Sequence, residues 1–157
     1  MPPQTLRGEV ADFRFALLGK TTIVVRGDRD RFVPGSYRVL LSRIESDLVK
    51  TRLAPEQAVF YLPELTGMTN PFDIGSAAAS YTHRHPELKS VYIVAPRRGV
   101  ITVVVDAFAR ALPGFDVRLF RDVDEATRAL RVRDRDLPLD WHQLSPVVVG
   151  DPFAEPR

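Results

Sequence analysis

Cysteine is absent from the 157-residue sequence. Its absence excludes a disulfide framework and any thiolate metal site, and it fits a cytoplasmic protein. Long apolar runs are missing as well, since no stretch approaches the roughly 18 residues that a membrane-spanning helix needs. The opening residues, MPPQTLRGEV, lack the apolar segment of a signal peptide. Lysine is scarce, found only at positions 20, 50 and 89, so 19 of the 22 basic residues are arginine. Charge of one sign is scarce too. The net charge is +2, and acidic residues are interleaved with the arginines, most plainly in RVRDRD at 131–136. A nucleic-acid footprint needs a one-signed patch, so nucleic acid is not an expected partner and RVRDRD reads as solvated charge. No nucleophile-elbow G-x-S-x-G is present, and no enzymatic activity is expected.

What is there suits a soluble globular chain. The hydrophobic fraction is 45% and the charged fraction 27%, ordinary for that class. The length fits one domain, which buries roughly 68–70% of its unfolded surface without staples.

Hydrophobic periodicity predicts the elements. EVADFRFALLGKTTIVVRGD reads as two strands, 9–17 and 21–26, around a tight turn at Gly19-Lys20. Gly, Asp and Pro then mark a loop, after which Ser36 stands as an N-cap for a helix over 37–53, with Tyr37, Leu40, Leu41, Ile44 and Leu48 at helical spacing. AVFYL at 58–62 and VYIVA at 91–95 are continuously apolar, as in strands covered on both faces. Between them, Ile74, Ala77, Ala78 and Tyr81 predict a helix over 73–84 that ends before Pro86. VITVVVDAFARAL is rich in β-branched residues. Its Ile101, Val104, Val105, Phe108 and Leu112 nevertheless keep helical spacing, and Pro113-Gly114 ends the run. A strand at 116–120 and a helix in DVDEATRALR follow, with Asp122 and Glu125 spaced as a capping box.

The order is β-β-α-β-α-β-α-β-α. It implies an α/β fold with a mostly parallel central sheet, right-handed crossovers, an antiparallel edge from the N-terminal hairpin and helices packed on the sheet. Residues 1–132 form the expected domain. Residues 133–157, with four prolines, Trp141 and Phe153, form a tail docked on the domain or partly flexible.

Several segments resemble the STAS family, whose best-known members are bacterial anti-sigma factor antagonists. FYLPELTGMT carries Glu64, Leu65, Thr66 and Gly67 where the family keeps an Asp-Leu-Ser-Gly-Val-like segment. FRDVDEATRAL, with Phe120, Asp124, Ala126 and Leu130, is similar to the family's last strand and helix. RHPELKSVYIVA fits the helix-to-strand passage of the broader group, whose relatives include CRAL-TRIO lipid-transfer domains. The resemblance spans roughly residues 9–131 and implies a bacterial, non-enzymatic regulatory module without cofactors. Such a module binds a protein partner at the 64–76 loop and the following helix. In the family a Ser or Thr at that helix start is phosphorylated. Here FDIGSA keeps Asp73, but Ile74 stands at the acceptor position and Ser76 lies two residues late. The implied partner surface contains Thr66, Gly67, Thr69, Asp73 and Ser76, and Thr66, Thr69 and Ser76 are the phosphorylation candidates. Capping by Asn70 or Asp73, with Ser76 as a packing residue, is the plainer reading of these side chains.

Other constellations are weaker. LLGKTT at 17–22 ends like a P-loop but has Arg14 where the first glycine belongs, and it falls in a hairpin. His83 and His85 do not share a helical face, so they read as helix-end histidines and no metal is expected. Arg97, Arg98 and Gly99 join a strand end to a helix start, a candidate anion site. Two alternatives to the partner module stay open: a binder of a small apolar molecule or lipid between sheet and helices, and a homodimer that pairs the hairpin strands at 9–26.

Overall fold

In the computed structural model the described residues are 6–33, 35–97 and 99–145. Six strands form one sheet whose spatial order is the chain order. β1 (Arg7–Val10), β2 (Phe13–Leu18) and β3 (Thr22–Gly27) make an antiparallel meander, and β4 (Gln57–Tyr61), β5 (Ser90–Val94) and β6 (Asp116–Phe120) continue from β3 in parallel. Between the parallel strands run α1 (Ser36–Thr51), α2 (Pro71–Arg84) and α3 (Gly99–Ala111), and α4 (Val123–Arg133) follows β6. Successive crossovers of one hand that advance in one direction must leave all three connecting helices on the same face. Leu40, Ile44 and Leu48 of α1, Ala79 and Tyr81 of α2, and Ile101 and Phe108 of α3 accordingly share one core with Phe15, Ile23, Val25, Val91 and Ile93.

The alternate residues of the same strands face the other way. Ala16, Val24, Val59, Tyr92 and Val94 are covered by Ala126 and Leu130 of α4 and by Leu137, Trp141 and Leu144 beyond it. Arginines on the meander clamp this last segment. Arg7 Nη2 donates to Ser145 O at 2.8 Å, Arg14 Nη1 to Leu144 O at 2.8 Å and Arg26 Nη1 to His142 O at 2.6 Å. Part of the stretch read as a tail is therefore core, and residues 146–157 lie outside the described residues.

The α/β class, the parallel strands and the helical reading of 99–111 agree with the sequence. Four local expectations change. The strand predicted at 9–17 is two strands, because Ala11, at φ 51°, turns the chain and pairs Val10 with Phe13. No Gly or Asn-Gly marks that turn. The expected edge hairpin at 9–26 becomes a three-stranded meander in which β1 alone is the edge, while β3 lies inside the sheet between β2 and β4. α2 starts two residues early, with Pro71 as its first residue, where a missing N–H costs nothing.

The fourth change concerns RVRDRD. Asp134 is 3% exposed, not solvated. Its carboxylate accepts from Thr21 N at 2.9 Å, Lys20 N at 3.0 Å and Thr22 Oγ1 at 2.9 Å, which ties the end of α4 to the β2–β3 turn. Burial by itself raises its pKa. The bonds from Thr21, Thr22, Lys20 and Asp136 together outweigh that and hold the carboxyl below the usual range. Gly19, at φ 62°, makes the approach feasible, since a Cβ there would stand 2.5 Å from the Asp134 carboxylate.

Candidate functional site

The C-terminal ends of β3 and β4 deliver two loops to the same corner. From β3 the loop runs through Asp30 and Arg31 into α1, and from β4 it runs through Glu64 to Asn70 into α2. The loops are stitched together. Thr66 N and Gly67 N donate to Asp30 O at 2.8 and 3.3 Å, Thr66 Oγ1 donates to the same carbonyl at 3.2 Å, and Arg31 bridges Gly67 in parallel fashion. Asp12, in the β1–β2 turn, holds the first loop by accepting from Val33 N at 2.8 Å and pairing with Arg29 at 3.0 Å.

Behind this stitch the N-termini of α1 and α2 face a common cavity of about 90 Å³. Phe32, Val33, Tyr37, Ile74 and Ala77 supply its apolar wall, and Ser36, Arg38, Thr69, Asn70 and Asp73 its polar groups. Neither helix has a side-chain cap: Gly35, at φ 83°, and Asn70, at φ 54°, occupy the cap positions in left-handed conformation. Ser36, expected to be the cap of α1, is instead its first helical residue. Its side chain is buried and its Oγ has no hydrogen-bond partner. Since Gly is also an acceptable N-cap, the pair Gly35-Ser36 held the signal that would have placed Ser36 inside the helix.

Deeper under the two helices the core has two small apolar voids of about 30 and 40 Å³, and Tyr37 borders both. Burial pushes the Tyr37 phenol well up, with Tyr81 adding to it. Tyr81 is raised by burial and then by Glu45 and Glu87. At the far end of α2, Glu45 of α1 bonds His85 Nε2 at 2.9 Å and Arg84 Nε at 3.2 Å. The His85 bond, then that of Arg84, lowers the Glu45 pKa. His85 stacks on Tyr81 with ring centroids 4.4 Å apart and also meets Glu87 at 3.3 Å. It is thus an inter-helix link more than a dipole partner of its own helix. His142 lies on the opposite sheet face, against Tyr61 and Trp141.

The structure sorts the residues named from the sequence. Thr69 and Asp73 are exposed and border the cavity. Thr66, exposed, and Gly67, buried, belong to the loop stitch beside it. Ser76 is half-buried and does not border the cavity. It follows Gly75, which packs α2 so closely on α3 that a Cβ would stand 2.4 Å from Val104 O. Arg97 is exposed, Gly99 has nothing within 4 Å of an added Cβ, and Arg98 lies outside the described residues. Sequence reasoning missed the contribution of α1, namely Ser36, Tyr37 and Arg38, because which helix neighbours α2 is a property of topology.

The chain matches no family model, no curated protein and no solved structure.

Proposed function

We propose that this chain is a non-enzymatic, STAS-like regulatory module that binds a protein partner through the corner where the 64–70 loop, the start of α2 and the start of α1 meet. The observation that carries the reading is exposed apolar surface at that corner. Phe72 is 57% exposed and Val33 54% exposed; Val33 borders the cavity together with Thr69, Asn70 and Asp73, and Phe72 precedes Asp73 in the first turn of α2. Large apolar side chains left in water beside a polar rim are a feature of interaction sites. The voids between the sheet and the helices, about 30 and 40 Å³, fall far short of the roughly 300–1,000 Å³ of ligand pockets, which speaks against a lipid or other apolar ligand buried at that place.

If the module is switched by phosphorylation, Thr69 is the hydroxyl that would place charge on the rim. Nearly two added negative charges beside Phe72 would disfavour an apolar or acidic partner. The experiment is photo-crosslinking in cells of the native host. A crosslinking residue at position 72 is compared with one at position 132, an exposed site on α4 at the other sheet face. A discrete adduct with another protein from position 72 alone supports the reading, and Thr69→Glu should weaken it. An adduct of the chain with itself would establish a homodimer instead. Equal adducts from both positions, or none from 72, would sink the proposal.

A further inference from the structure

We propose that β6, an outer edge of the sheet, pairs antiparallel with β6 of a second copy of this chain about a two-fold axis through Val117. The inference is independent of the partner reading, since β6 lies two strands away from β4.

Among the described residues β6 pairs with β5 and with no other strand. Ala95 N donates to Phe120 O at 3.0 Å, so Phe120 turns its backbone groups toward β5. That direction alternates along a strand. Asp116 and Arg118 therefore also face β5, while Val117 and Leu119 aim N–H and C=O out of the sheet. Such an edge is a template for another chain. Proline and bulges, which blunt many edges, are absent here, and the pairing with β5 runs one-to-one from Asp116 to Phe120. Val117 N donates to Phe115 O at 3.0 Å, a γ-turn contact that a straighter bond between strands would displace.

Charge, the other common protection of an edge, is arranged here so that it favours self-pairing. Phe115, Asp116, Val117, Arg118 and Leu119 read apolar, acidic, apolar, basic, apolar. Reversal about Val117 sets acid against base and apolar against apolar. Val117 then meets Val117 of the second copy as a hydrogen-bonded pair, which its outward backbone allows. Asp116 stands opposite Arg118 of the second copy, and Arg118 opposite Asp116, in non-hydrogen-bonded pairs. Side chains approach most closely in such pairs, at a Cα separation of about 4.5 Å. Centring on Arg118 instead would stack two arginines, and centring on Leu119 would set Asp116 against Asp122. Within β6, opposite charges face each other only about Val117.

The two faces of the strand agree. Phe115, Val117 and Leu119 are half-buried against the core under α1, α2 and α3, and pairing would cover more of each. Asp116 and Arg118 lie on the other face, where Tyr92 Oη donates to Asp116 Oδ2 at 3.0 Å and Arg118 Nε meets Asp116 Oδ1 at 2.9 Å. The Arg118 and Asp116 side chains are 57% and 32% exposed, open to a second carboxylate and a second guanidinium. Five residues of edge cover less than the roughly 1,600 Å² of a standard interface, so a dissociation constant in the micromolar range or weaker is expected.

The test is sedimentation velocity of the full chain between micromolar and millimolar concentration. Wild type should pass from monomer to dimer over that range. Arg118→Glu and Asp116→Lys should each raise the dissociation constant about tenfold or more, since like charges then face each other in both pairs. Mixed in equal amounts, the two variants should recover the wild-type dimer, because the acids of one then meet the bases of the other. If Asp116→Lys folds poorly without its Tyr92 bond, amide exchange decides. Leu119 N, which faces out of the sheet, should be protected in concentrated wild type and exchange freely in Arg118→Glu. Loss of the dimer in each variant with recovery on mixing, or that difference in exchange, supports the proposal. A wild type that stays monomeric to millimolar concentration, a dimer that Arg118→Glu leaves intact, or folded variants that do not recover on mixing would overturn it.

Discussion

Asp134→Asn is the sharpest test of how the second face of the sheet is held. The wild-type carboxylate has one oxygen, Oδ2, that accepts from Lys20 N, Thr21 N and Thr22 Oγ1 at 3.0, 2.9 and 2.9 Å. The other, Oδ1, accepts from Lys20 N at 3.2 Å and from Asp136 N at 3.3 Å. An asparagine can place its one oxygen at the better-served position. Its NH₂ must then face the N–H groups of Lys20 and Asp136, donor against donor, and the bonds that survive lose their charge assistance. Hydrogen bonds to charged groups contribute about 1.5–3 kcal/mol each, neutral ones about 0.5–1.5. Exchanging several of the first kind for the second, with one donor left unmet, gives a loss of about 2–4 kcal/mol. With m near 2 kcal/mol/M in urea, the unfolding midpoint should fall by about 1–2 M. The carboxyl pKa is lowered in the folded chain. Its contribution is therefore fully present above the unfolded value near 3.9 and is lost as pH falls through the lower folded value. Wild type and variant should converge when the urea titrations are repeated toward pH 2–3. A midpoint within about 0.3 M of wild type at pH 7, or a gap that widens in acid, would refute the assignment.

Gly75→Ala sets a Cβ 2.4 Å from Val104 O. Because that neighbour is backbone, α2 and α3 must part, which costs about 1–3 kcal/mol and lowers Tm by roughly 3–10 °C in a calorimetric scan. Ala11→Gly should do the opposite. A left-handed residue with a Cβ costs about 1–2 kcal/mol, glycine loses about 0.5–1 kcal/mol more entropy, and a rise in Tm of a few degrees is expected; a fall would mean that Ala11 is not held at positive φ. Trp141, the sole tryptophan and 1% exposed, donates from Nε1 to Thr127 Oγ1 at 2.7 Å. Trp141→Phe should cost about 1–2 kcal/mol, and the wild-type indole emission should shift red in the same transition as the far-UV circular dichroism.

What could be read from the sequence was whatever repeats locally. The β4 and β5 runs, the 3.6-residue spacing beneath the valines of α3 and the Asp122 cap of α4 each carry their signal within one element. The Ala11 turn carries none, because alanine is a poor left-handed residue and is held there by the pairing of Val10 with Phe13. Asp134 looked solvated because its partners at 20–22 lie more than a hundred residues away. The candidate cavity was half legible. Thr69 and Asp73 follow from the strand-to-helix passage, whereas Ser36 and Arg38 join them only because the third and fourth strands are neighbours.

That one-sided winding also sets an order on synthesis. Each crossover covers the same face, so the apolar row of Ala16, Val24, Val59, Tyr92 and Val94 has no lid until α4 and the segment to Leu144 have been made. At roughly 5–20 residues per second the last stretch takes about 1–5 s. Until that stretch is present, one side of the sheet has its layer of helices and the other has none. A chain cut before residue 123 would keep that sheet face bare and sticky, and only the return of the segment through Trp141 and Leu144 would clothe it.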